Sequence, residues 1–100
     1  MRLLYQSRDS VRTCSTLEMI AFTFADEEPE LAAKIFAGTT LERRRVATPG
    51  TPEEQERNQR TLDKLRHVLG DDRHRSIQTT METTPLGEVV DLAERAVELG

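Results

Sequence analysis

Apolar residues recur along this chain at steps of three and four, which is the spacing of one face of an α-helix. In the first such segment, over residues 10–25, Met19, Ile20 and Phe22 widen the apolar stripe beyond a single line. Runs that alternate apolar and polar residues, as a half-buried strand requires, are almost absent. The pattern predicts an all-α fold of four to five antiparallel helices. The stripe itself is formed by Val11, Cys14, Leu17 or Glu18, Ala21 and Phe24.

Capping residues predict where the first two helices begin. Asp9 or Ser10 is expected to cap the first helix, because its side-chain oxygen can accept from a free N–H group. An acidic turn then leads into Pro29, and proline is tolerated in the first turn of a helix. The second helix is therefore expected over residues 29–46. Its inward positions are Leu31, Ala32, Ile35, Phe36 and Leu41.

The third predicted helix has the clearest start signal of the chain. Thr51 precedes Pro52, and Glu54 stands where its carboxylate can reach back to the capping residue, which is the capping-box pattern. Gly70 is expected to end this helix as a left-handed cap. Residues 53–60 contain no apolar side chain, so we expect them to project into solvent. The inward positions are Leu62, Leu65, Val68 and Leu69.

Two further helices complete the predicted fold. Residues 71–82 form a weaker helix, in which Ile77 and Met81 are the clearly apolar positions. Thr84 is expected to cap the last helix, with Pro85 in its first turn. The inward positions of that helix are Leu86, Val89, Val90, Ala93, Ala96 and Val97.

Composition narrows the possible environments. The net charge of −4 argues against a non-specific nucleic-acid binder and against an anionic membrane as partner. The single cysteine, Cys14, cannot form an internal disulfide, which favours a reducing compartment. Neither a bilayer-spanning apolar run nor the apolar core of a signal peptide is present in the sequence. We therefore expect a cytoplasmic protein.

Candidate chemistry is sparse. His67 and His74 flank Asp71 and Asp72, but their spacing matches no zinc or calcium pattern. Cys14 has no histidine within fifty positions to act as its base. We predict no metal, no cofactor and no enzymatic activity. An enzyme with an unrecognised site remains an alternative, and it would require Cys14 and a histidine to meet in one pocket.

Arginines suggest a second alternative, a DNA-linked regulator that acts through a basic surface. Arg43, Arg44 and Arg45 are consecutive, and five more arginines follow between residues 57 and 75. Glutamates and aspartates are interleaved with them, which is typical of a solvated helix face. No recognition-helix motif or aromatic platform accompanies them, so direct contact with nucleic acid is not the leading prediction.

Four segments carry a resemblance to a known family. They are ELAAKIFAGTTLER at 30–43, TPEEQER at 51–57, LDKLRHVLG at 62–70 and TPLGEVVDLA at 84–93. In this order they resemble the last tetratricopeptide-like segment of LuxR- and AfsR-type transcriptional regulators, which are common in actinobacteria. Ala32 and Phe36 match the small and aromatic positions of the second helix of such a repeat.

The resemblance implies a helical interaction module. The length of the chain predicts one domain over residues 1–100, and the resemblance implies a tetratricopeptide-like hairpin over 9–46 and capping helices over 51–99. The nucleotide-binding and DNA-reading domains of these regulators are not in this sequence, so regulator activity is not implied. The module is expected to be a stand-alone remnant or accessory piece of such a regulator, and a fragment without an independent role is the remaining alternative.

A helical repeat buries its apolar face against neighbours, and three or more repeats are normally needed for stability. We therefore predict non-catalytic protein–protein interaction, with a protein partner or a second copy covering the exposed apolar face. The surplus of apolar positions on the first helix indicates where this partner binds. The predicted partner-binding residues are Met19, Phe22, Phe24, Ile35 and Phe36.

Overall fold

The structure is a computed structural model that describes the backbone of residues 2–47 and 50–99, and the side chains of residues 12–47 and 50–98. All regular secondary structure in these ranges is helical, so the all-α prediction is confirmed. The five helices are α1 (Arg2–Phe24), α2 (Pro29–Val46), α3 (Pro52–Leu69), α4 (Asp71–Met81) and α5 (Leu86–Leu99).

Helices α2 and α3 begin where their local signals predict. Pro29 is the first residue of α2, and Ala47 caps its C-terminal end in the left-handed conformation with φ 56°. The capping box of α3 is present. The backbone N–H of Glu54 donates to Thr51 Oγ1 at 3.1 Å, and the N–H of Thr51 donates to Glu54 Oε1 at 2.9 Å. These boundaries depend on neighbouring residues alone, which is why the sequence predicts them.

Helix α1 begins eight residues before the predicted start. Asp9 and Ser10 therefore lie inside the helix, and the prediction that one of them caps it is wrong. Residues 2–9 contain neither glycine nor proline, so nothing in them interrupts the helix. The side chain of Val11, which was assigned to the apolar stripe, lies outside the described side chains.

Two other predicted caps behave differently in the structure. Gly70 has a positive φ of 88°, but its ψ of 153° places it outside the left-handed helical region, and it connects α3 directly to α4. Thr84 does not cap α5, which begins at Leu86. The Thr84 hydroxyl instead donates to the carbonyl of Thr80 at 3.0 Å and closes the end of α4.

Helix α2 lies at the centre of the fold. It forms an antiparallel hairpin with α1, and α3, α4 and α5 also pack against it. Helix α5 additionally returns to α1. In a linear tetratricopeptide array each repeat contacts only its neighbours. The return of α5 to the first hairpin departs from that arrangement, so the tetratricopeptide-like part of the fold prediction is not confirmed.

Small residues allow the central helices to approach closely. Cys14, Ala21 and Ala32 are completely buried. At Gly38, an added Cβ atom would lie 2.5 Å from Val89 Cγ2, which is closer than atoms can pack. The larger fully buried side chains are Ile35, Phe36, Leu65 and Val89.

Two predicted core positions face solvent instead. Val68 is 58% exposed and Val97 is 54% exposed. The core side of α3 is formed by Leu62, Leu65 and Leu69. Val68 directly precedes Leu69, so it points in a different direction and lies on the flank of the helix. The prediction that these two valines point inward is therefore wrong.

Candidate interaction surface

The five predicted partner-binding residues divide into two groups. Ile35 and Phe36 are only 1% exposed and belong to the core, because α2 is enclosed by the other four helices. No partner can reach them in the folded chain. Phe24 is half-buried, whereas Met19 and Phe22 are 48% and 46% exposed. The structure therefore leaves Met19 and Phe22 as the accessible pair.

Arg57 of α3 lies beside this exposed pair. Its guanidinium carbon is 5.7 Å from the centre of the Phe22 ring, and its Nη1 is 4.0 Å from the sulfur of Met19. We call Met19, Phe22 and Arg57 the α1 patch. The polar partner of Arg57 is the amide oxygen of Asn58, at 3.1 and 3.3 Å. No carboxylate in the described side chains pairs with Arg57, so its charge is available to an acidic group.

A groove between α1 and α5 lies on the other flank of α1. It encloses about 510 Å³, and Leu17, Ile20 and Val97 contribute apolar surface to it. Ile20 and Phe22 are two residues apart on a helix, so they point in different directions. The groove and the α1 patch are therefore separate surfaces, and the groove includes none of the predicted partner-binding residues.

A buried ion pair joins α1 to α2. Arg43 donates from Nε and Nη2 to the two carboxylate oxygens of Glu18, both at 2.8 Å, and these side chains are 8% and 3% exposed. Nη2 also donates to Ser15 Oγ at 3.1 Å. The hydrogen bonds to Glu18 raise the pKa of Arg43 above its usual value. Because the two charges neutralise each other, this cluster is suited to holding α1 against α2 rather than to a chemical reaction.

Cys14 is enclosed beside the same cluster. Its sulfur lies 3.9 Å from the carbonyl oxygen of Thr39, and the residue has no exposed surface. Burial raises the pKa of the Cys14 thiol to about 11. The thiol is therefore protonated at neutral pH, and the thiolate is the reactive form of cysteine. His74 lines a cavity among α2, α3 and α4, away from the α1 side on which Cys14 lies.

Most of the arginines that suggested a DNA-binding surface are paired with carboxylates. Arg43, Arg45 and Arg60 contact Glu18, Glu42 and Glu56, and Arg66 and Arg73 contact Asp71 and Glu30. Such pairing neutralises the positive charge that phosphate contacts would require. The arrangement therefore gives no specific support to the DNA-linked alternative.

The described residues contain no group of three or more histidine, cysteine, aspartate or glutamate side chains positioned to hold a metal ion. Within the same part of the chain, no helix combines the length and apolar character needed to cross a membrane. No protein-family model, curated protein or solved structure matches the chain. The resemblance to LuxR- and AfsR-type regulators consequently remains a prediction from sequence segments.

Several important residues were missed by the sequence analysis. Arg43 and Thr39 are buried although their types favour the surface, and His74 is 5% exposed. Glu18 offered a signal, because it lies four residues after Cys14 on the apolar stripe of α1. The position of Arg57 over Phe22 had no signal, since it depends on how α3 packs against α1.

Proposed function

We propose that this chain is a non-catalytic protein–protein interaction module that binds a partner through the α1 patch. The partner is a polypeptide segment that presents apolar side chains flanked by carboxylates. One observation carries the proposal: two large apolar side chains are half-exposed on α1 beside a guanidinium that has no acidic partner among the described residues.

The physical basis is the combination of apolar burial with a charge-assisted contact. Covering Met19 and Phe22 removes apolar surface from water, at about 25 cal/mol per Å². Aromatic and arginine side chains also dominate the binding energy of many interfaces. Arg57 already stacks on Phe22. A carboxylate can therefore bind this arginine while its neighbours cover the ring, which selects for an acidic partner.

A narrower version of the proposal follows from the four resembling segments. They favour a stand-alone remnant or accessory piece of a LuxR- or AfsR-type transcriptional regulator, acting in the cytoplasm of an actinobacterium. A nucleotide-binding or DNA-binding part of such a regulator should then be encoded in the same or an adjacent reading frame. A neighbourhood without such a frame would contradict this narrower version and leave the interaction module itself unaffected.

The direct test uses two synthetic amphipathic peptides with the same apolar residues, one flanked by glutamates and one by lysines. We expect the glutamate peptide to bind at least about tenfold more tightly, because only it can pair with Arg57. Phe22→Glu and Met19→Glu should each abolish this binding, and Arg57→Gln should remove the preference for glutamate. Fluorescence anisotropy measures each of these affinities.

Val68→Glu is the matched control, because Val68 is an exposed valine on α3 outside the α1 patch. It should bind the glutamate peptide like the natural sequence. Equal binding of both peptides, or glutamate-peptide binding that survives Phe22→Glu, would contradict the proposal. Sedimentation of the chain alone is the companion measurement. A dimer that Phe22→Glu dissociates would assign the surface to a second copy and overturn the acidic partner.

A further inference from the structure

A polar cavity lies on the side of α2 that faces α3 and α4, away from the α1–α5 groove. It encloses about 400 Å³, which is within the range of about 300–1,000 Å³ typical of small-molecule sites. Its size follows from the sequence of α2, because Ala33 and Ala37 place only methyl groups where larger residues would fill the space. The cavity is thus a consequence of small residues at one face of the central helix.

His74 of α4 is the buried polar group that lines this cavity. The residue is 5% exposed, yet its imidazole has no hydrogen-bond partner among the described residues. No fully buried side-chain nitrogen or oxygen in that part of the chain lacks a partner. The imidazole nitrogens must therefore remain reachable by solvent or by a ligand. Burial and the nearby Arg66 lower the pKa of His74, so its neutral ring can both donate and accept a hydrogen bond.

Four charged side chains line the same cavity: Arg44 and Arg66 are cationic, and Asp63 and Glu82 are anionic. Arg66 contacts Asp71 at 3.9 Å, and Asp63 accepts a hydrogen bond from the Gln59 amide at 3.0 Å. Arg44 of α2 and Glu82, at the end of α4, form no ion pair with each other or with any other described side chain. Gln78 supplies an amide between His74 and Glu82 along the chain. A ligand that carries both a carboxylate and an ammonium group would satisfy both charges, whereas a simple anion or cation would satisfy one and be repelled by the other.

We propose that the cavity among α2, α3 and α4 binds a small zwitterion of the α-amino-acid class. Arg44 takes its carboxylate, Glu82 takes its ammonium group, and His74 and Gln78, which also line the cavity, are available to hydrogen-bond the ligand's side chain. This site shares no lining residue with the α1 patch, so the two can be tested separately. The chain therefore combines a protein-binding surface with a separate small-molecule site.

The chain contains two histidines, and this makes the test specific. Each common L-α-amino acid is titrated at pH 7 while the imidazole resonances of His74 and His67 are followed by NMR. We expect at least one amino acid to shift the His74 signals saturably with a Kd below about 1 mM. His67 lies exposed on α3 and does not line the cavity, so its signals should not move.

Arg44→Gln and Glu82→Gln test the two charge contacts without disturbing the core, because both side chains are exposed. Each substitution should weaken binding by about tenfold or more, since each removes a charge-assisted hydrogen bond. Arg95→Gln on α5 is the matched control and should bind normally. Acetate and methylammonium, each carrying one of the two charges, should bind far more weakly than the amino acid.

Three results would overturn this site. The first is that no amino acid shifts His74 at concentrations up to about 10 mM. The second is that His67 and His74 shift in parallel, which would indicate a general solvent effect. The third is that acetate alone binds as tightly as any amino acid, which would mean that the cavity recognises an anion and not a zwitterion.

Discussion

The two sides of α2 are packed in different ways. Towards α1 and α5, small residues bring the helices into close contact, and the Glu18–Arg43 pair is enclosed between α1 and α2. Towards α3 and α4, a polar cavity separates the helices. Close packing gains dispersion contacts that an open cavity forgoes. One side of the central helix is therefore tightly packed, whereas the other leaves polar groups available for binding.

The small number of buried residues in α3 and α4 accounts for this difference. In α3 only Thr61 and Leu65 are buried, and α4 adds His74, Ile77 and Met81. Additional contacts from this side are exposed ion pairs, such as the one between Lys64 of α3 and Asp26 in the turn after α1. Exposed pairs contribute little to stability. We therefore expect substitutions in the buried ion pair on the α1 side to have large effects and substitutions in the exposed ion pairs on the α3–α4 side to have small ones.

The largest expected effect comes from breaking the buried ion pair. Arg43→Met leaves the Glu18 carboxylate buried without its partner, and this should lower the free energy of unfolding by about 3–5 kcal/mol. Replacing both partners, as in Glu18→Leu with Arg43→Met, should recover most of the loss because neither member of the pair is then left as an unpaired buried charge. Urea denaturation measures each variant.

Arg60→Met is the control for this experiment. Arg60 pairs with Glu56 on the exposed surface of α3, so its loss should cost no more than about 1 kcal/mol. Similar losses for Arg43→Met and Arg60→Met would contradict the contrast between buried and exposed pairs. A double variant no more stable than Arg43→Met would show that packing around the pair, and not its charge, determines the result.

A smaller effect is expected where α2 and α5 meet. The methyl group of Gly38→Ala would clash with Val89, which is stiff because it is branched at Cβ. Overpacking costs about 1–3 kcal/mol, and the better helix propensity of alanine recovers up to about 1 kcal/mol. We expect a net loss of about 1–2 kcal/mol.

Gly87→Ala is the matched comparison in α5, because nothing lies within 4 Å of the added methyl group. It should be neutral or stabilising by up to about 1 kcal/mol. Thermal unfolding monitored by circular dichroism gives both changes. If Gly38→Ala proved as stable as Gly87→Ala, the close approach of α2 and α5 would not be a constraint on the fold.

The smallest effect is expected for the exposed pair between Lys64 and Asp26. Lys64→Met should lower the free energy of unfolding by about 0.2–1 kcal/mol at low salt. The difference should disappear near 1 M salt, where the screening length falls to about 3 Å. Urea denaturation at the two salt concentrations measures it. A loss that persists at high salt would mean that the α3 side depends on this contact more than its exposure indicates.

Local signals in the sequence predict much of the fold. Pro29 and the Thr51–Glu54 capping box define the starts of α2 and α3 through neighbouring residues alone. The packing of α5 against α1 could not be predicted from the sequence, because it depends on which apolar stripes meet in space. Val68 illustrates the limit: its spacing fits an inward stripe, but the packing register of α3 places it on the surface.

The candidate sites were harder to predict from the sequence than the fold. Met19 and Phe22, two of the surplus apolar positions of the first helix, are exposed in the structure. Ile35 and Phe36 were assigned both to the inward face of α2 and to the partner-binding set, and the core encloses them. An apolar stripe alone does not show which of its members other helices will cover. The cavity around His74 had no sequence signal, since its lining comes from three helices that are separated along the chain.

The enclosure of Cys14 has a consequence for oxidation. A thiol that is fully covered and protonated at neutral pH is a poor target for peroxide and for disulfide exchange. Since the chain has a single cysteine, a covalent link between two copies requires both to open their α1–α2 hairpins first. Disulfide-linked dimers in an oxidised sample would therefore come from chains that had opened their α1–α2 hairpin. Chains that stay folded would keep a free thiol.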